Sequence, residues 1–281
     1  MIKHFLKSMI VAAGLEKPTR RLLKPFVERG WTRWKPLVPE EEFSACFRNA
    51  IRTIRSLEPS AKAIGNYVEF GVSRGTSLAC AHHTLRDEGL SHIRLIGFDS
   101  FEGLPSEAAH EGWVPGAFCS TLSATKDYLR SRRVDMGRVE LIKGWFKDTL
   151  TEQTRQSLGI GKVSFIMVDC DIYSASRDAL TFVEPHIVDH AVVIFDDWGD
   201  DALPLECQQK AFSEFRADHS DITATALPAY GRARVFCLER DSLQLGSNGR
   251  LSEVRHNGWG SAELRQLLEP SLPDSVHHKL R

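Results

Sequence analysis

The chain has 281 residues, of which 42% are hydrophobic and 26% are charged, a globular composition that excludes disordered, fibrous and coiled-coil classes. Its 36 Lys and Arg residues nearly balance its 37 Asp and Glu residues, and the net charge of −1 offers no overall attraction to nucleic acid. None of the six cysteines forms a CxxC pair, which argues against a zinc site or a small disulfide framework. We therefore expect a cytoplasmic globular protein with reduced thiols and one large domain or two small ones.

The first 38 residues form a basic arm that differs in charge from the rest of the chain. They contain nine Lys and Arg residues and two acids, a charge of 9 − 2 = +7, which leaves −8 for the remainder. The longest apolar run near the start, Met9–Leu15, is too short for the roughly 18 residues that span a bilayer, so we expect no integral membrane segment. The apolar residues before residue 11 recur at the spacing of an amphipathic helix rather than of a secretion signal. We predict a helical N-terminal arm over residues 1–60 that covers the core or a partner subunit in a homo-oligomer; contact with a membrane surface or an anionic substrate is the alternative.

From residue 66 onwards, short β-branched or aromatic strands alternate with longer helical stretches. This alternation predicts a mostly parallel sheet with helices on both faces. The predicted strands are Asn66–Phe70, Ile93–Phe98, Val139–Lys143, Val163–Asp169 and Val192–Phe195. The predicted helices lie near Thr76–Glu88, Ala124–Ser131, Thr151–Leu158, Ser174–Val183 and Leu205–Arg216.

Two further strands, Ile222–Leu227 and Ala233–Leu238, are separated by five residues, too few for a crossover helix. They are therefore predicted to form an antiparallel hairpin that closes an otherwise parallel sheet of seven strands. The fold class is α/β, with one domain over residues 61–240. A C-terminal extension over residues 241–281 contains one short helical stretch near Ala262–Leu268.

The first predicted strand leads through a glycine turn, Gly71–Gly75, into a helix. Glycine lets backbone approach a ligand closely, and the start of a helix offers free N–H groups. The turn is not the GxGxxG of dinucleotide sites, because Ser73 occupies the middle glycine position. Asp99 follows the second strand, where an acid is placed to hydrogen-bond ribose hydroxyls. Together they favour a nucleoside cofactor; the alternatives are a tight structural corner and an acid that caps a turn.

Four acids follow the fourth and fifth strands: Asp169 and Asp171 after one, Asp196 and Asp197 after the other. Because side chains alternate along a strand, Asp169 and Asp171 are expected on one side and Cys170 on the opposite side. If the strands are neighbours, so much negative charge needs a cation or raised pKa values. Oxygen-only ligands favour Mg²⁺, whereas capping of helices and turns is the alternative.

Five stretches in this region carry a resemblance to a known family: VEFGVSRGTS, IGFDSFEGLP, KGWFKDTL, VDCDIYSASRDAL and VVIFDDWG. Together, over residues 66–199, they resemble the macrocin O-methyltransferase (TylF-type) family of class I S-adenosylmethionine-dependent methyltransferases. The resemblance implies a Rossmann-like class I methyltransferase fold. It also implies Mg²⁺-dependent transfer of a methyl group from S-adenosylmethionine to a hydroxyl of a small glycosylated acceptor, either a natural product or a surface glycan.

The resemblance assigns a role to each candidate site residue. The implied cofactor-binding residues are Glu69, Gly71, Gly75, Thr76, Ser77, Asp99 and Ser100. The implied Mg²⁺ ligands are Asp169, Asp196 and Asp197, and Asp171 is placed to take the hydroxyl proton as the catalytic base. The chain departs from the family pattern after Trp198 and in both terminal regions, the segments that usually shape the acceptor pocket.

Two other functions stay open on the residues alone. An NAD-dependent sugar oxidoreductase or epimerase needs GxGxxG and a Tyr-Lys pair, but Arg177 stands where the lysine after Tyr173 should be. A non-catalytic relic of the fold that binds a partner has no need of the intact set of acids.

Overall fold

The computed structural model describes residues 38–199 and 206–241. The helices predicted at the start of the basic arm and near Ala262–Leu268 lie outside the described residues. No helix within the described part is long and apolar enough to cross a membrane. The helices are α1 (Glu40–Leu57), α2 (Thr76–Asp87), α3 (Leu122–Ser131), α4 (Phe146–Thr149), α5 (Glu152–Leu158), α6 (Tyr173–Val183) and α7 (Glu206–Asp218). The strands are β1 (Asn66–Phe70), β2 (Leu95–Asp99), β3 (Val139–Lys143), β4 (Val163–Val168), β5 (His190–Phe195), β6 (Ile222–Leu227) and β7 (Arg234–Arg240).

The seven strands form one sheet in the order β3-β2-β1-β4-β5-β7-β6. Strands β1 to β5 pair in parallel, whereas β7 runs antiparallel to both β5 and β6. The predicted α/β class and its C-terminal hairpin are confirmed. The strand order reverses between β1 and β4, and ligands of open α/β sheets bind at such a point, outside the carboxyl ends of the strands.

The central strands are mostly apolar because helices cover both faces of the sheet. All six residues of β4 are buried, as are the last five of β5. One core cluster joins the sheet to α1 and α2, and a second joins it to α6 and α7. Full burial of one large apolar side chain contributes about 1.5–3 kcal/mol, so these two layers hold the strand ends rigidly in place.

Helix α1 belongs to the core of the sheet domain. Its first turn is acidic, which suits the positive end of the helix dipole. Its buried face repeats every three to four residues: Phe43, Cys46, Phe47, Ala50, Ile51 and Ile54. The Phe47 ring lies 5.1 Å from the Phe165 ring of β4, and Arg132 binds both carboxylate oxygens of Glu40 at 2.8 and 2.6 Å. These contacts fix α1 across the sheet and against the end of α3.

Several strand ends differ from the prediction by one or two residues. Strand β2 begins at Leu95 and includes Asp99, and β4 ends at Val168. The Asp169 N–H still donates to the Phe70 carbonyl at 2.8 Å, so the ladder continues one bond past β4. The short helix α4 lies in a stretch where no helix was predicted.

Candidate active site

A cavity of about 850 Å³ opens at the carboxyl edge of the sheet. The loops after β1, β2, β3, β4 and β5 line it, together with the turn of the β6–β7 hairpin. Among the predicted site residues, its lining includes Gly71, Asp99, Ser100, Asp169, Asp171, Asp196 and Asp197. Glu69, Gly75, Thr76 and Ser77 do not line it, and their cofactor role stays a prediction.

The glycine turn brings β1 close to β4. Gly71 has φ +89°, and a Cβ placed there would lie 1.7 Å from the Asp169 carbonyl oxygen. Only glycine fits this conformation and this distance, so the position of Asp169 depends on Gly71. Gly75, at φ +90°, turns the chain into α2.

Asp99 fastens the glycine turn from the neighbouring strand. Its Oδ2 accepts hydrogen bonds from the N–H groups of Val72 and Ser73 at 2.8 and 2.7 Å, and its Oδ1 accepts one from Phe101 at 2.5 Å. Burial raises the pKa of Asp99, and the three N–H bonds oppose that rise. The Asp99 carboxylate also lines the cavity.

Glu69 lies beneath the turn and is fully buried. The Tyr67 hydroxyl donates to Oε2 and the Ser77 hydroxyl to Oε1, each at 2.6 Å. Burial raises the pKa of Glu69 to about 8. With both oxygens bonded inside the protein, Glu69 joins β1 to the first turn of α2.

Three carboxylates meet at the ends of β4 and β5. Asp169, Asp196 and Asp197 each offer one oxygen, and the three oxygens lie within 4.8 Å of one another. Oδ2 of Asp197 is buried and has no hydrogen-bond partner among the described residues. Such a set of hard oxygen donors, with one orphaned oxygen, fits a Mg²⁺ ion.

The electrostatics of this group also favour a cation. Burial is the main cause that raises the pKa of Asp169 well above its ordinary range, that of Asp171 to about 8 and that of Asp197 to about 7. The negative charges of the neighbouring carboxylates add to each of these shifts. Burial likewise raises the pKa of Asp196, against the positive charge of Arg232 and a hydrogen bond from Tyr230. A bound divalent cation would lower these pKa values, because its positive charge favours the ionised carboxylates.

Asp171 reaches the cavity by a turn rather than by strand alternation. Because β4 ends at Val168, the alternation expected from Asp169 to Asp171 does not apply. Asp171 has φ +61°, and the Ile172 N–H donates to the Cys170 carbonyl at 2.6 Å. This left-handed conformation costs on the order of 1–3 kcal/mol and is typical of functional sites. The carboxylate of Asp171 thereby lies against the carboxylates of β5, while Cys170 packs in the core.

Sequence reasoning missed two side chains that hold these acids. Gln208 of α7 is fully buried; its Nε2 donates to the Val168 carbonyl and its Oε1 accepts from the Asp197 N–H, both at 3.1 Å. The Tyr230 hydroxyl, in the hairpin turn, donates to Oδ1 of Asp196. The signal for Tyr230 was the predicted hairpin, because a strand antiparallel to β5 brings its preceding turn to the end of β5.

The loop between β2 and α3 covers part of the cavity. Its aromatic residues Trp113 and Phe118 line the wall, with ring centroids 5.9 Å apart. Glu111 of the same loop accepts a hydrogen bond from the Tyr173 N–H at the start of α6, at 2.9 Å. The loop is thus anchored two residues from Asp171.

The known proteins that resemble this chain include O-methyltransferases. The 8-demethyl-8-(2,3-dimethoxy-alpha-L-rhamnosyl)-tetracenomycin-C 4'-O-methyltransferase of Streptomyces olivaceus is 31% identical over 147 residues, which cover 49% of this chain and 54% of that protein. The demethyldecarbamoylnovobiocin O-methyltransferase of Streptomyces niveus is 28% identical over 144 residues, which cover 48% and 53%. The chain thus spans about half the length of these curated relatives. The solved structure of the O-methyltransferase NovP superposes with a TM-score of 0.57 at 22% identity, over 72% of this chain and 79% of that one, and confirms the Rossmann-like methyltransferase fold.

The family model described as macrocin-O-methyltransferase (TylF) matches residues 45–227. The match begins within α1, ends with β6 and contains the glycine turn and all four acids. The chain therefore belongs to the macrocin-O-methyltransferase family, as its five sequence stretches predicted.

Proposed function

We propose that this protein is a Mg²⁺- and S-adenosylmethionine-dependent O-methyltransferase that acts on a hydroxyl of a sugar or glycosylated metabolite. The observation that carries the proposal is the group of three carboxylate oxygens within 4.8 Å of one another, in the same cavity as the glycine turn and Asp171. The names of the two Streptomyces relatives support the reaction class.

S-adenosylmethionine is proposed to bind along the glycine turn. Gly71, which has no side chain, and Ser73 line the cavity, and the Asp99 carboxylate at the same wall is proposed to accept from a ribose hydroxyl. Trp145 and Phe146, on the loop after β3, offer aromatic surface to the adenine. The bound cofactor supplies an electrophilic methyl group on a sulfonium.

Asp169, Asp196 and Asp197 are proposed to hold the cation, and Asp171 to remove the proton of the acceptor hydroxyl. A bound Mg²⁺ would act as a Lewis acid that lowers the pKa of this hydroxyl, which is otherwise a poor nucleophile. Asp171 is suited to the base role because its carboxylate contacts the ligand group without belonging to it. Positioning by rigid strand ends lets the proton leave as the oxygen attacks.

The acceptor is proposed to be a small glycosylated molecule, handled in the cytoplasm. A cavity of about 850 Å³ with aromatic walls is in the range of sites that enclose a metabolite. No disulfide joins the described cysteines, in keeping with a reducing compartment. Association through the basic arm in a homo-oligomer stays a prediction.

The test compares two substitutions in the full-length protein, assayed against glycosylated metabolites. Asp171→Asn should keep cofactor and metal affinity and lower turnover by about 10²–10⁴-fold, the usual range for general acid–base catalysis. Asp169→Asn should instead lower the affinity for the metal. Activity should vanish in EDTA and return with Mg²⁺.

Three results contradict parts of this proposal. Full turnover in EDTA removes the metal from the reaction. Near-normal turnover of Asp171→Asn, or its rescue by excess Mg²⁺, shows that the base and ligand roles are wrongly assigned. A melting temperature raised by NAD⁺ and unmoved by S-adenosylmethionine places the protein in another enzyme class, because a ligand of the folded state stabilises it by mass action.

A further inference from the structure

One buried hydroxyl outside the predicted site contacts a candidate metal ligand directly. Tyr230 is 8% exposed, and its hydroxyl donates to Oδ1 of Asp196. A tyrosine hydroxyl has an ordinary pKa near 10, so at neutral pH it carries its proton and is the donor in this bond. The other buried tyrosine nearby, Tyr67, donates instead to Glu69, which is not in the ligand group.

The sheet register explains why Tyr230 reaches this position. Phe195 of β5 pairs with Arg234 of β7, so the turn that precedes β7 lies beside the residues that follow β5. The turn is closed by the Ala233 N–H, which donates to the Tyr230 carbonyl at 2.9 Å. The Tyr230 ring meets the edge of the Phe43 ring of α1, with centroids 5.9 Å apart. The phenol is therefore held from the turn and from α1 at once.

We propose that Tyr230 is a positioning residue of the metal site, whose hydroxyl fixes the rotation of the Asp196 carboxylate so that its free oxygen faces those of Asp169 and Asp197. This inference rests on the magnesium part of the proposed function. A carboxylate with one oxygen bonded to a rigid phenol has one orientation to offer, whereas an unbonded one rotates and must be ordered by the cation. Hydrogen bonds from outside the ligand shell contribute about 10- to 100-fold to metal affinity in such sites.

The experiment measures metal affinity without turnover. Full-length wild type and Tyr230→Phe are titrated with Mn²⁺, with free Mn²⁺ followed by electron paramagnetic resonance, and with Mg²⁺ by calorimetry. Tyr230→Phe keeps the ring and its contact with Phe43 and removes only the hydroxyl. Tyr67→Phe is the matched control, because it removes a buried hydroxyl from a carboxylate that is no candidate ligand. The melting temperatures of the three proteins are measured first, and the titrations are carried out at a temperature at which all three are folded.

We expect Tyr230→Phe to weaken the affinity for Mn²⁺ and Mg²⁺ by about 10-fold or more, and Tyr67→Phe to leave it within about twofold of wild type. Excess Mg²⁺ should restore the turnover of Tyr230→Phe. The inference is overturned if Tyr230→Phe binds metal with the affinity of wild type, or if Tyr67→Phe lowers the metal affinity by the same factor. A wild type that binds no metal overturns it together with the magnesium proposal, so the two failures are distinguishable.

Discussion

Glu69→Gln should change how the stability of the protein depends on pH. The carboxyl is fully buried, and burial raises its pKa from 4.5 to about 8. The folded state therefore keeps a proton that the unfolded chain releases above pH 4.5. The stabilisation from this proton is complete below pH 4.5 and is lost as the pH rises through 8. Integrating the linkage relation from pH 5.5 to 7.5 gives a loss of about 2–3 kcal/mol from this one group.

Glutamine cannot titrate, so the variant should lack that loss. In metal-free buffer, the free energy of unfolding of Glu69→Gln relative to wild type should improve by about 2–3 kcal/mol between pH 5.5 and 7.5. Urea denaturation at both pH values measures this, and any constant cost of the amide cancels in the difference. Ser77→Ala is a useful companion, because it removes one bond that Glu69 accepts and retains the carboxyl. Parallel pH profiles of wild type and Glu69→Gln would show that Glu69 is ionised in the folded protein.

Three further predictions concern the packing of the fold, and two of them include a control substitution. Gly71→Ala should lower the free energy of unfolding by more than about 3 kcal/mol, because its Cβ would lie 1.7 Å from a carbonyl oxygen after β4. Gly159→Ala, with open space around it, should lower it by about 1 kcal/mol. Thermal denaturation measures both. Phe47→Ala should cost about 3–5 kcal/mol in urea denaturation and Val188→Ala, which is 50% exposed, close to nothing. Burial lowers the pKa of His82 to about 4, so the stability advantage of wild type over His82→Gln should fall as the pH decreases from 6.5 to 4; an unchanged difference in urea denaturation across this range would contradict a buried neutral imidazole.

The sheet could be predicted from the sequence because its central strands are buried on both faces. A strand that is covered on both faces is mostly apolar, and Val163–Val168, with five apolar residues of six, stands out in hydropathy. The hairpin followed from the length of the connection between its two strands, since five residues cannot hold a crossover helix. The grouping of Asp169 with Asp196 followed from the rule that parallel strands end at one edge. These inferences use only local pattern and the geometry of parallel sheets.

The details of the site depended on contacts between distant residues. The predicted hairpin brings the turn at Tyr230 towards the end of the sheet, but it does not indicate that the Tyr230 hydroxyl bonds a residue 34 positions earlier. The backbone of Asp171 is left-handed although the residue is not a glycine, so the sequence does not indicate this conformation, and the surrounding structure imposes it. Two of the three N–H bonds that Asp99 accepts come from the turn after β1, a different strand, so its contact with that turn became visible only in three dimensions.

The place of β7 between β5 and β6 has a consequence for how this protein is made. A chain that stops before β6 already contains Asp196 and every other acid of the site, yet its β5 would stand as a bare, apolar sheet edge. Such an edge invites pairing with other chains, so a fragment of this kind is expected to aggregate rather than to bind metal. During synthesis the candidate metal ligands therefore emerge before β7, which covers the edge of β5, and before the turn that contacts Asp196. Strand β7, the last paired strand of the described fold, is therefore the one that completes the pocket around the acids.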